Sequence, residues 1–191
     1  MESTYLNFLP SELLSEILWY LDIDEIENVL EVSEFVQRVV DSRVFWINKL
    51  TFDDMEEYIQ FLGTFDNGFE DYRGFMSVEE DVVNFMSGFK RYGGHMEFPI
   101  SIEVDVKELI NDYTLDEFKE AIQDFEGEIM IENFRGKYSY FFNKSGISDE
   151  IGVLTAKELG LLLIKLSLAG QNIFELSNLE KMMAEMYEDE Y

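Results

Sequence analysis

The chain has no cysteine, one histidine and two prolines in 191 residues. The missing cysteines exclude disulfides, thiolate metal sites and a cysteine nucleophile together. The single histidine, His95, cannot build a histidine-rich metal site or a histidine pair for acid–base work. With no cysteine and no GxSxG it has no nucleophile to activate, so it reads as an exposed turn residue after Gly93-Gly94. Phosphate-binding glycine loops are absent, as neither GxxxxGK[ST] nor GxGxxG occurs. Gly152, Leu154 and Glu158 echo the back half of a calcium-binding loop, but its first ligand position falls on Ile147, which cannot coordinate. No metal and no cofactor is expected, and no enzyme.

Bases are also scarce. Fourteen Lys and Arg stand against 41 Asp and Glu, for a net charge of −27. Acidic pairs are so abundant that none marks a site. Nucleic acid and anionic membrane surfaces require cationic patches, so neither is an expected partner. A basic partner would be attracted, although a solvated acidic surface that keeps the chain soluble accounts for the same charge. Long hydrophobic runs are missing too. Residues 159–170, LGLLLIKLSLAG, are interrupted by Lys165 and fall short of the roughly 20 residues that a membrane span needs, so they read as a buried core helix. The start, MESTYLNF, has neither the basic flank nor the apolar run of a leader, and the glycosylation pattern Asn143-Lys144-Ser145 is discounted with it.

What the chain does have is a high hydrophobic content, 47%, with 15% aromatic residues, which opposes disorder despite the charge. The clearest stretch is 9–50, LPSELLSEILWYLDIDEIENVLEVSEFVQRVVDSRVFWINKL. Three short helical patterns with abrupt joints fill it. Helix one starts at Pro10, with Leu13, Leu14, Ile17, Leu18 and Leu21 forming one broad apolar stripe. Asp22 and Glu25 form a capping box for helix two, which carries Ile26, Val29 and Leu30. Ser33 caps helix three, with Phe35, Val36, Val39 and Val40. Asp41-Ser42 interrupts the pattern, which resumes at Val44, Phe45, Trp46, Ile47 and Leu50. Helices this short do not persist alone in water. Together they carry more apolar side chains than three small helices bury among themselves, which points to a docking module.

The order of these residues resembles the F-box family. The resemblance runs without a gap through Leu9-Pro10, Glu12, Leu13, Leu14, Ile17, Leu18, Tyr20, Leu21, Val32-Ser33, Phe35, Asp41-Ser42, Phe45-Trp46 and Leu50. It covers about forty residues and none of the remainder. It implies a three-helix module that docks onto the Skp-type adaptor, and through it a cullin, of a cullin–RING ubiquitin ligase. The implied adaptor contacts are Leu9, Pro10, Leu13, Leu14, Ile17, Leu18, Leu21, Val32, Phe35 and Trp46. The fit is to helix-in-groove recognition, in which an aliphatic face and aromatic anchors enter an apolar groove. One residue departs from the family pattern. The family usually has Lys or Arg after Val-Ser, and this chain has Glu34. Where that basic residue contacts the adaptor, Glu34 weakens the contact or changes the partner.

Domains are expected at 1–50 and 51–191. In the second, Thr51 caps a fourth helix bearing Met55, Tyr58, Ile59 and Leu62, and residues 63–77 read as a long glycine-rich loop and the best candidate for a boundary within the chain. Phe65, Phe69, Tyr72 and Phe75 on that loop suit either partner contact or burial beneath it. Ser77 and Glu80 open a helix that ends at Gly93-Gly94. Residues 96–106 alternate as a strand with one buried face, and Pro99 marks a sheet edge or a strand start. Capping pairs Thr114/Glu117, Thr155/Glu158 and Ser177/Glu180 open three later helices, and residues 128–142 form a hairpin around Asn133-Phe134-Arg135-Gly136. The last helix carries Met182, Met183 and Met186, a core stripe or an adaptable binding face. The fold class is therefore α+β, with a small, mostly antiparallel sheet packed on helices.

In F-box proteins the second domain selects what is ubiquitinated. Leucine-rich and propeller repeats are common there, and neither period occurs in this chain. The resemblance implies an intracellular substrate receptor, cytoplasmic and/or nuclear, that performs no chemistry and holds an unknown target near a ubiquitin-carrying enzyme. The excess of acid on the second domain, not the resemblance, suggests a basic target. The competing reading is an assembly protein that uses the same module without ubiquitin transfer. Compact proteins of this kind also occur in large DNA viruses.

Overall fold

The computed structural model describes residues 8–31, 33–61, 68–101, 104–123, 126–144 and 147–188. Val32, Leu62, Phe65, Ile102, Phe125 and the tail after Glu188 lie outside them. The fold is α+β, and the chain divides into two compact units, Met1–Met76 and Ser77–Tyr191.

The first unit is helical. Pro10 precedes α1 (Ser11–Trp19), and its carbonyl accepts the Leu14 N–H at 3.0 Å. Asp22 and Glu25 form the expected capping box at α2 (Ile23–Leu30), each side chain accepting the other's backbone N–H. Ser33 Oγ accepts from Phe35 and Val36 at the start of α3 (Glu34–Val40). Asp41-Ser42 then separates α3 from α4 (Arg43–Phe52). Leu14, Leu18, Ile26, Val36, Val40, Phe45, Trp46 and Leu50 form the core.

Three expectations fail in this unit. Thr51 does not open a helix, because α4 runs through it to Phe52 and stops where Asp54 takes a φ of 59°. A 3-10 turn, Glu56–Phe61, follows. Residues from Gly68 are not loop, since α5 spans Gly68–Tyr92 and Ser77 lies inside it rather than capping it. Phe69, Tyr72 and Phe75 recur at i, i+3 and i+6 and are all buried. Tyr72 stacks on Trp46 with ring centres 4.2 Å apart, and Phe75 meets Tyr58 at 5.3 Å. Of the two readings open for them, burial holds, on a helix rather than beneath a loop. Gly68 is needed where it stands, since a Cβ there would lie 2.7 Å from Trp46 Nε1. This packing carries the first unit past Leu50 to Met76, inside the 63–77 stretch that is the sequence's other boundary candidate.

The second unit holds a four-stranded antiparallel meander in the order β1 (Gly94–Ile100), β2 (Gly127–Phe134), β3 (Lys137–Lys144) and β4 (Ile147–Leu154). The β2–β3 turn is Arg135-Gly136, both with positive φ, 56° and 80°, as a two-residue hairpin matched to strand twist requires. β1 ends at Ile100, earlier than expected, because Val106 belongs to α6 (Val106–Asn111). Pro99 does mark an edge. The rest of that edge is sealed by the chain itself, since Glu97 N–H donates to the Leu176 carbonyl at 2.8 Å and Asn178 N–H to that of His95 at 3.1 Å. His95 is exposed, but on this strand rather than in a turn.

α6 and α7 (Leu115–Ala121) pack on α8 (Ala156–Leu168), whose residues Leu161 to Leu166 are all buried, as the core-helix reading expects. Capping boxes at Thr114/Glu117 and Thr155/Glu158 open α7 and α8. The final helix, α9 (Leu179–Glu188), starts just after Ser177, whose Oγ accepts the Leu179 N–H at 3.3 Å. Met182 and Met183 are half-buried there.

Thr155→Ala should lower stability by about 1 kcal/mol. Its hydroxyl satisfies the Glu158 N–H at 3.1 Å, and alanine leaves that donor to water. Chemical denaturation of the two proteins gives the difference directly, and an unchanged midpoint would show that the cap contributes nothing.

Candidate docking face

α1 is apolar on two sides and is packed on one. Leu14 and Leu18 face α3 and α4 and are buried. Leu13, Ile17 and Tyr20, at i, i+4 and i+7, lie on a stripe of their own and stay 49%, 48% and 76% exposed. Phe52, at the end of α4, meets Tyr20 edge-on with ring centres 4.7 Å apart and extends the stripe. Phe8, ahead of the helix, and Val44, on α4, are exposed as well. Isolated exposed apolar side chains are ordinary, whereas an ordered stripe along one helix makes this the candidate docking face.

The stripe rests on a fixed base. The Lys49 ammonium, buried under α1, donates to the Trp19 carbonyl at 2.9 Å and pairs with Asp53 at 3.0 Å. A cation at the α1 C-terminus complements the helix dipole and ties α4 to α1. A cleft of about 410 Å³ beside the stripe is lined by Trp19, Tyr20, Asp22, Phe52 and Met76. Another, of about 390 Å³, lies between Ser15, Trp19, Arg38, Val44 and Phe45. Trp19 lines both, and its buried Nε1–H has no protein acceptor among the described residues.

The sequence-derived contact residues therefore divide. Pro10, Leu13 and Ile17 are exposed, and Leu9, Leu21 and Phe35 are half-buried. Leu14, Leu18 and Trp46 are in the core, so they shape the face from beneath and are not on its surface. Helical periodicity identifies apolar positions without telling which of them a neighbouring helix will cover; α3 and α4 cover Leu14 and Leu18, and the start of α5 covers Trp46. Val32 lies outside the described residues. Tyr20 and Phe52 were not among the expected contacts. Tyr20's place seven residues after Leu13 is the signal that reveals it. Glu34 is exposed in the first turn of α3, free to face a partner.

Elsewhere, several polar groups hold elements of the fold together. Lys165 is 1% exposed, and its ammonium donates to the carbonyls of Leu109, Ile110 and Tyr113 at 2.8, 2.6 and 2.7 Å. It closes the C-terminal end of α6 from α8. Burial pulls its pKa down to about 8, against the opposing pull of Asp112 and Glu117. Tyr140 donates toward both oxygens of Asp105 at 3.2 Å, and burial, with the Asp105 charge, pushes it up to about 12. Hydrogen bonds from Thr114 and Thr155, backbone first, hold the Glu117 and Glu158 carboxyls below the usual range, as capping anions should be. Among the described residues no group of three or more His, Asp or Glu could hold a metal ion, and no helix is long and apolar enough to cross a membrane. Comparison with protein-family models, with curated proteins and with solved structures returns no match to this chain.

Proposed function

We propose that the first unit is an F-box-type docking module. It would bind the Skp-type adaptor of a cullin–RING ubiquitin ligase through the Leu13/Ile17/Tyr20 stripe, and the second unit would hold the protein to be modified. The observation that carries this is the stripe itself. Three large side chains stand outward on a short helix that buries Leu14 and Leu18 in the core. Covering each is worth roughly 1.5–3 kcal/mol when complete, enough in sum for a specific interface once Phe52 joins. The ordered residues from Leu9-Pro10 to Phe45-Trp46 supply the identity of the partner, and the buried half of that set supplies the rigid support. On this reading the chain does no chemistry, works inside the cell in cytoplasm or nucleus, and raises the local concentration of its target near the ubiquitin-carrying enzyme.

Affinity capture with the full chain as bait tests it. Adaptor and cullin should both be retained, and Leu13→Asp with Ile17→Asp should release both while leaving the melting temperature unchanged. A folded bait that retains neither overturns the reading. Retention of the adaptor without a cullin would instead favour an assembly role without ubiquitin transfer.

A further inference from the structure

The face of the sheet turned away from the helices has an arrangement of its own. Met96, Phe98, Ile100, Ile129, Ile131, Tyr138, Tyr140 and Phe142 alternate inward and are buried. The strand register puts the intervening residues on the other face. One row across the strands reads Glu97, Met130, Phe141, Glu150, and the next reads His95, Glu132, Ser139, Val153. Directly opposed side chains on one face stand about 4.5–5.5 Å apart at Cβ, so each row is a continuous surface. Tyr140 pairs with Gly152 and Phe141 with Glu150, which leaves Ile151 as the extra residue of a bulge beside Phe141. Met130 and Phe141 are half-buried, and Ile151 and Val153 are exposed.

A solvated antiparallel face normally alternates to polar residues. Here an apolar strip runs obliquely from β2 through β3 to β4, and carboxylates flank it. Glu97 lies opposite Met130, while Glu128 and Glu132 lie two residues to either side of it on the same strand. Among the described residues none of these three makes an ion pair, and Glu150 at the far end has only the exposed Lys137 at 3.5 Å.

From this geometry we infer that the outer face of the sheet is an interaction surface for a basic amphipathic helix of another protein. The apolar strip would take the helix's apolar side, and Glu97, Glu128 and Glu132 would take its lysines or arginines. The oblique course selects a helix over an added strand. A strand pairing with the open edge of β4 would leave Met130 and Phe141 uncovered, whereas a helix laid across the sheet covers all four apolar residues and makes a third layer. The charge selects a basic occupant over a second copy. Two copies, each with a net charge of −27, would set unpaired carboxylates against their own kind. The inference uses the second unit alone and stands whether or not the first unit docks an adaptor.

The test is a titration of the isotopically labelled full chain with a short amphipathic helical peptide of leucine and lysine, followed by backbone amide shifts. Saturable shifts at Met130, Phe141, Ile151 and Val153 are expected. Phe141→Ser should weaken binding roughly tenfold or more. Should that variant fail to fold, the more exposed Val153→Ser carries the same expectation. Glu97→Gln with Glu132→Gln should weaken binding and flatten its dependence on salt. The inference is overturned if shifts scatter over the acidic surface or collect on the α1 stripe. Equal binding of a leucine–glutamate peptide, or unchanged affinity in the apolar variants, would overturn it as well.

Discussion

Trp46→Ala should destabilise the first unit by about 3–5 kcal/mol, the range for removing a large aromatic side chain from a packed core. The indole is fully buried. It stacks on Tyr72 at 4.2 Å, meets Phe45 edge-on at 4.9 Å, and presses so closely on α5 that only glycine fits at position 68. Alanine empties the space that α3, α4 and the start of α5 share, and the gap is too apolar for water to fill. The chain offers a direct readout, because its two tryptophans, Trp19 and Trp46, are both in the first unit. In the variant Trp19 remains as the fluorescent reporter during urea unfolding. A midpoint close to that of the parent chain would mean that the indole is not holding these helices together. The substitution should also reduce adaptor binding indirectly, by loosening the base of the stripe, so it is a poor probe of the contact itself.

Lys165→Met should cost about 2–4 kcal/mol at neutral pH. Methionine fills most of the space, but three carbonyl oxygens in the interior lose their donor, and an unsatisfied buried acceptor costs roughly 1–3 kcal/mol. Loss of the buried charge offsets part of this. The pH dependence separates the two effects. The Lys165 pKa falls from 10.5 in the unfolded chain to about 8 in the fold. Between those values the unfolded chain binds more protons than the native one, so unfolding free energy rises with pH in that window. Below about pH 8 both states hold the proton, and this group contributes no slope. Tyr138 and Tyr140 act in the opposite direction, because burial raises their pKa in the fold, and their contribution is lost as pH rises past 10. The rise is therefore to be read between pH 8 and 10. Lys165→Met should lack it. A parent chain with a flat profile there would show that the ammonium keeps its proton throughout.

The parts of this fold that were legible in the sequence are those fixed by residues three or four apart, or by a two-residue turn. Asp22/Glu25, Thr114/Glu117 and Thr155/Glu158 each satisfy a backbone donor locally, and each cap was found where its residues stand. The β2–β3 hairpin is set by Gly136, and the edge position of β1 by Pro99. What escaped was decided by distant partners. Gly68 looks like a loop residue until Trp46 is seen to require a close approach there, and so the first turns of α5 were missed. Lys165 looks like a blemish in a greasy helix until the carbonyls of α6, more than fifty residues earlier, are brought to it. The docking face was half legible for the same reason. Periodicity gave an apolar helix of the right length, but only the placement of α3 and α4 separates Leu13 and Ile17 from Leu14 and Leu18.

Calorimetric titration of the purified chain with a purified Skp-type adaptor tests the central proposal most directly. One adaptor should bind per chain, with the negative heat-capacity change of apolar burial. Leu13→Asp with Ile17→Asp should weaken binding by roughly a hundredfold or more, about 3 kcal/mol, without lowering the melting temperature. Glu34→Lys should strengthen it. Absence of binding by the folded parent chain, or binding that survives the double substitution intact, would contradict the assignment of the α1 stripe as the docking face.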